Sequence, residues 1–152
     1  METHERRLNL AFYEGSDGPR VMLFGSLNAP FDQLQCIFRG LSKQKGPFEL
    51  HSLPFIRAFG GIELFALCSG SIFQHGRGKL QGVRQTGMAD QKTFNWVRTA
   101  EGWDYLAELI DGLVNGATAG HQYLSSYPSE DAIIVLSKGE YGDEVLKHIT
   151  QT

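Results

Sequence analysis

Arg7-Leu8-Asn9-Leu10-Ala11-Phe12-Tyr13, then Gly15-Ser16-Asp17-Gly18-Pro19, then Val21-Met22-Leu23-Phe24, is the stretch that decides the fold class. Leu8, Leu10 and Phe12 alternate with Arg7, Asn9, Ala11 and Tyr13, the period of two that places one side of a strand in a core. The glycine, aspartate and proline cluster has turn composition, and Val21 to Phe24 returns as the partner strand. The chain therefore opens with a β-hairpin, and antiparallel pairing becomes the frame for the remaining elements.

Asn28-Ala29-Pro30 is a helix start, with a capping side chain, a proline suited to the first turn and Asp32 placed for the helix dipole. Phe31, Leu34, Ile37, Phe38 and Leu41 then recur on one helical face, and Lys43, Lys45 and Gly46 end the segment. Phe48 to Leu53 and Ile62 to Cys68 have strand composition, with Pro54 and Gly60-Gly61 breaking the run between them. Residues 70 to 92 are glycine-rich, polar and basic, as expected of a hairpin or mobile loop. Thr93 to Thr99 predicts a strand, and about Ala100 to Asn115 a helix stopped by Gly116. His121 to Leu124 and Ala132 to Ser137 form a second hairpin about Tyr127-Pro128-Ser129. A short terminal helix carrying Tyr141, Val145, Leu146 and Ile149 completes the order. Because helices and strands do not alternate regularly, the expected fold is α+β: a mainly antiparallel sheet with about three helices packed on one face.

The 152 residues, 41% hydrophobic and 20% charged, suit one domain spanning residues 1 to 152. Cys36 and Cys68 lie in apolar surroundings without CxxC spacing, so two buried free thiols are expected. The N-terminus lacks a secretory pattern and no apolar run is long enough to span a bilayer, which predicts a cytoplasmic protein without membrane contact.

Charge is unevenly distributed. Residues 1 to 100 hold twelve Lys and Arg against eight Asp and Glu, whereas residues 101 to 152 hold two against nine. An acidic last third disfavours nucleic acid there, because phosphate contacts require cations. On a helical wheel Glu101, Asp104, Glu108 and Asp111 share one side, opposite Trp103, Leu106, Ile110, Leu113 and Val114. Such a stripe is ordinarily a solvated face. Here no lysine is interleaved to relieve its like-charge repulsion, which suits a basic partner surface instead.

Other constellations exclude more than they assign. Arg77, Lys79 and Arg84 in the glycine-rich segment could contact phosphate, yet neither GxxxxGK[ST] nor GxGxxG is present. A flexible hairpin is the plainer account. Five histidines are scattered without HExxH or cysteine companions, and Glu140, Asp143 and Glu144 lack the spacing of a calcium loop, so no metal and no cofactor is expected. No nucleophile motif is present. His121 and Glu140, with Arg77, are the residues to watch should the protein be an enzyme.

The stretch Gly120-His121-Gln122-Tyr123-Leu124, with Asp131 to Val135 and Ser137-Lys138-Gly139-Glu140-Tyr141, resembles the tails of small bacterial immunity domains of toxin systems. That resemblance implies a cytoplasmic inhibitor that binds and occludes a cognate toxin. The acidic helix offers a physical route, since fixed carboxylates can occupy a cationic active site built for phosphate. The expected function is thus a non-catalytic protein-binding module, and an immunity-type inhibitor is the specific form the resemblance implies. Glu101, Asp104, Glu108 and Asp111 would face the partner, with Tyr105 and Tyr141 as aromatic anchors. The alternatives are an enzyme with an unfamiliar site and a module binding a small phosphate ligand through residues 70 to 92.

Overall fold

The computed structural model describes residues 7–16, 18–69, 82–86, 92–125 and 131–141. The opening hairpin forms as its alternation predicts: β1 (Leu8–Gly15) pairs antiparallel with β2 (Gly18–Gly25), setting Leu10 opposite Leu23 and Phe12 opposite Val21. The chain then runs through α1 (Phe31–Ser42), the two-residue β3 (Phe48–Glu49), a 3-10 turn, β4 (Ile56–Ala58) and β5 (Glu63–Cys68). After these come β6 (Gly82–Thr86), β7 (Thr93–Arg98), α2 (Ala100–Leu109), α3 (Asp111–Asn115), β8 (Gly120–Tyr123) and β9 (Ile133–Lys138).

Both strands and helices are present, as an α+β chain requires, but the sheet expectation needs correction. Among the described residues there are two sheets, ordered β4-β1-β2-β9-β8 and β3-β5-β7-β6, and both are mixed. Parallel ladders join β1 to β4, β2 to β9 and β5 to β7; the remaining pairs are antiparallel. The cause is long-range: β9 docks beside β2 rather than extending a local meander, and β7 reaches β5 with β6 on its far side. Helices number two rather than about three among the described residues. The second is broken at Ile110, whose backbone (φ -88°, ψ 1°) ends α2 and starts the five-residue α3. The terminal helix expected beyond Tyr141 lies outside the described residues.

Smaller departures have local reasons. The strand expected over Phe48 to Leu53 gives way after Glu49 to a 3-10 turn at Leu50–Ser52, which tucks Leu50 into the core. Pro30 itself occupies the N-cap of α1, and no side chain caps that end. Both thiols are free, yet Cys36 is exposed and Cys68 only half-buried, which corrects the expectation of two buried thiols. Cys36 sits between Gln35 and Ile37 on the flank of α1, away from its buried Phe31, Leu34, Phe38 and Leu41.

A continuous core joins the inward rows of the sheets to both helices. Leu8, Leu10, Val21, Leu23, Ile134 and Leu136 face it from the larger sheet, and Leu64, Ala66, Val83, Phe94 and Trp96 from the smaller. Phe38, Trp96 and Trp103 meet at its centre, with ring centroids 4.9 to 5.6 Å apart. Trp103 is fully buried and its indole N–H donates to Leu67 O at 2.9 Å, so α2 is anchored to β5 without an unsatisfied donor. Thr99 caps α2 by accepting from Gly102 N at 3.0 Å.

Candidate functional site

The pairing register of the larger sheet builds the site. Residues opposite one another across adjacent strands project to the same side. Opposite the core-facing rows, three rows form: Tyr13, Arg20 and Ile133; Ala11, Met22, Val135 and Tyr123; Asn9, Phe24, Ser137 and His121. The outer face of this sheet thus gathers side chains from both ends of the sequence. Ala11, Met22, Phe24 and Val135 are buried in a second apolar cluster, with Tyr13 and Phe59 packed against them.

At the end of β9 the chain turns back over this face. Gly139 has φ +72°, and a Cβ there would lie 2.7 Å from Leu27 Cδ2, so both backbone and space call for glycine. The turn carries Glu140 over Ser137 and His121. Ser137 Oγ donates to Glu140 Oε1 at 2.6 Å, and His121 Nδ1 lies 3.0 Å from Glu140 Oε2. These two hydrogen bonds, Ser137 first, hold the Glu140 carboxyl below its ordinary value, against a smaller opposing effect of burial. Tyr141 follows, its ring edge-on to Phe24 at 6.2 Å.

Tyr13, Arg20, His121, Tyr123, Val135, Glu140 and Tyr141 line a cleft of about 450 Å³. Its rings are ordered by mutual contact. His121 meets Tyr123 edge-on at 5.7 Å, the Arg20 guanidinium lies 5.6 Å from the Tyr123 ring, and Arg20 Nη1 donates to the Tyr123 hydroxyl at 3.5 Å. Tyr141 titrates above its ordinary value, chiefly because it is partly buried and then because Glu140 is negative; Arg20 acts in the opposite direction. Tyr123 and Tyr141 are nevertheless 46% and 44% exposed, so their rings are open to an incoming group.

His121 and Glu140, the residues the sequence marks for possible proton chemistry, are therefore brought together. Their proposed companion Arg77 lies outside the described residues, as does Lys79. Arg84 sits on β6, where Nη1 donates to Val83 O at 3.4 Å. Sequence reasoning does not single out Tyr13, Arg20, Tyr123 or Ser137. Strand parity puts Tyr13 and Arg20 on the outer side of the first hairpin, but only the β2–β9 pairing brings them to His121.

The acidic helix is elsewhere, packed on α1. Asp104 accepts from Arg39 Nη1 at 2.8 Å, and Asp111 Oδ1 accepts from Gln35 at 3.2 Å and Asn115 at 3.0 Å. Gln35 also donates to Ala107 O at 2.8 Å. Part of the stripe thus serves helix packing. Glu101 and Glu108 remain exposed, and between them Tyr105, at 58%, is the most exposed large apolar side chain among the described residues. Tyr141, expected beside this face, belongs instead to the cleft.

Among the described residues no group of three or more His, Cys, Asp or Glu side chains is placed to hold a metal ion, and no helix is long and apolar enough to cross a membrane. Family models, characterised proteins and solved structures give no match to this chain.

Proposed function

We propose that the chain is a non-catalytic protein-binding module, an immunity-type inhibitor that docks the outer face of α2 on a cationic surface of its partner. The observation that carries this reading is Tyr105, 58% exposed, with Glu101 one helical turn before it and Glu108 one turn after. An exposed tyrosine ringed by carboxylates combines an apolar anchor, able to lose its water on docking, with charges that steer a basic partner toward it. The resemblance of residues 120 to 144 to immunity-domain tails supports the same class.

The test begins with partner capture from the native host by the full chain, followed by calorimetry on the purified pair. Tyr105→Ala should weaken binding by about tenfold or more, as truncating a central aromatic anchor does. Glu101→Lys with Glu108→Lys should slow association and flatten its salt dependence. Unchanged affinity and salt slope in all three substitutions would remove α2 from the interface and this reading with it.

A further inference from the structure

The cleft on the outer face of the larger sheet is not used by that reading, and its hydrogen bonding points to a specific chemistry. An ionised carboxylate has no hydrogen to give, so in the 3.0 Å contact with Glu140 the hydrogen belongs to His121 Nδ1. Both Glu140 oxygens are occupied, Oε1 by the Ser137 hydroxyl and Oε2 by the imidazole. The imidazole is thereby fixed in one tautomer. In its neutral form Nε2 is a bare acceptor, on a side chain 49% exposed at the cleft wall. Around it stand three phenol rings and Val135, with the exposed Tyr123 and Tyr141 offering flat apolar surfaces.

A bare acceptor beside aromatic faces selects a ligand that is flat and carries its own donor. A cavity of about 450 Å³ has the size of a small-molecule site and would take one such ring system. We infer that the cleft binds a small planar molecule, a nucleobase or a phenol, whose ring N–H or O–H donates to Nε2 of His121 while its ring lies against Tyr123 and Tyr141.

Two pairs of probes test this on the full chain, by NMR titration of the His121 and Tyr123 ring signals. Uridine is compared with 3-methyluridine, whose ring N–H is blocked, and p-cresol with 4-methylanisole, whose hydroxyl is blocked. Saturable shifts are expected with at least one parent compound, weakened up to about tenfold by the blocking methyl group and by His121→Ala, as loss of one hydrogen bond of about 0.5–1.5 kcal/mol requires. Response to uridine alone identifies a nucleobase site, response to p-cresol alone a phenol site, and response to both the shared chemistry. Because Tyr123 is about half exposed, Tyr123→Ala should keep the wild-type melting temperature, whereas His121→Ala also removes a hydrogen bond to Glu140 and should melt somewhat lower while staying folded; the methyl comparison needs no variant at all. Tyr105→Ala should leave the titration unchanged, which separates this site from the α2 interface. No saturable shift with either parent, or equal binding of the methylated forms, overturns the inference.

Discussion

Glu140 accepts two hydrogen bonds from side chains that the fold has already placed, and this makes its charge part of the stability of the turn at Gly139. Its carboxyl titrates below the ordinary value of 4.5, so folding favours the ionised form. The resulting stabilisation is complete above the ordinary value and is lost as the pH falls through the lowered one. Glu140→Gln should therefore melt below the wild type at neutral pH, with the two curves converging in acid. Thermal melts across a pH series would show this, whereas a difference independent of pH would mean that the charge contributes nothing. His121 and Glu140 can be suspected from the sequence, because they are the available proton-handling groups near a strand. Their contact is not legible there, since it depends on Gly139 adopting a left-handed turn.

Among the elements, β9 and α3 are joined by a buried cation. Lys138 is 3% exposed; its ammonium donates to the carbonyls of Leu113 and Gly116 and lies 5.7 Å from the Phe31 ring. No basic residue stands in the last turn of α3, so a lysine from a neighbouring strand satisfies carbonyls the helix end leaves open. Lys138→Met would keep much of the side-chain volume and remove the donor. A loss of about 1–3 kcal/mol is expected from the two stranded carbonyls, measurable by urea denaturation; an unchanged midpoint would show that water replaces the ammonium. At this scale the periodicities are informative. The faces of α1 and α2 are legible because burial there follows a 3.6-residue repeat, from Phe31 to Leu41 and from Trp103 to Ile110. The break at Ile110 is not, because Leu113 and Val114 continue the same apolar face.

For the whole molecule, the contact of Phe38, Trp96 and Trp103 links α1, β7 and α2 at the centre of the core. Phe38→Ala should cost about 3–5 kcal/mol through lost burial and an unfilled cavity. That is a large share of the roughly 5–15 kcal/mol typical of a domain. A denaturation midpoint close to wild type would mean that the neighbouring rings collapse into the space. Neither the two-sheet architecture nor the cleft can be read from the chain, because both depend on β2 pairing with β9 and β5 with β7, and alternation within a strand says nothing about which strand lies beside it.

The β2–β9 ladder also imposes an order in time. During synthesis the hairpin of residues 8–25 emerges with the edge that β9 will occupy still unpaired, and residues 26–132 must be made before Ile133 to Lys138 can fill it. Closing so long a loop is slow, because its entropy is lost before any contact across it forms. Tyr13 and Arg20 are made well before His121, Glu140 and Tyr141. A nascent chain ending before β9 would carry Tyr13, Arg20, His121 and Tyr123 but lack Val135, Glu140 and Tyr141. The lining of this cleft is therefore assembled only once Glu140 and Tyr141 have joined it.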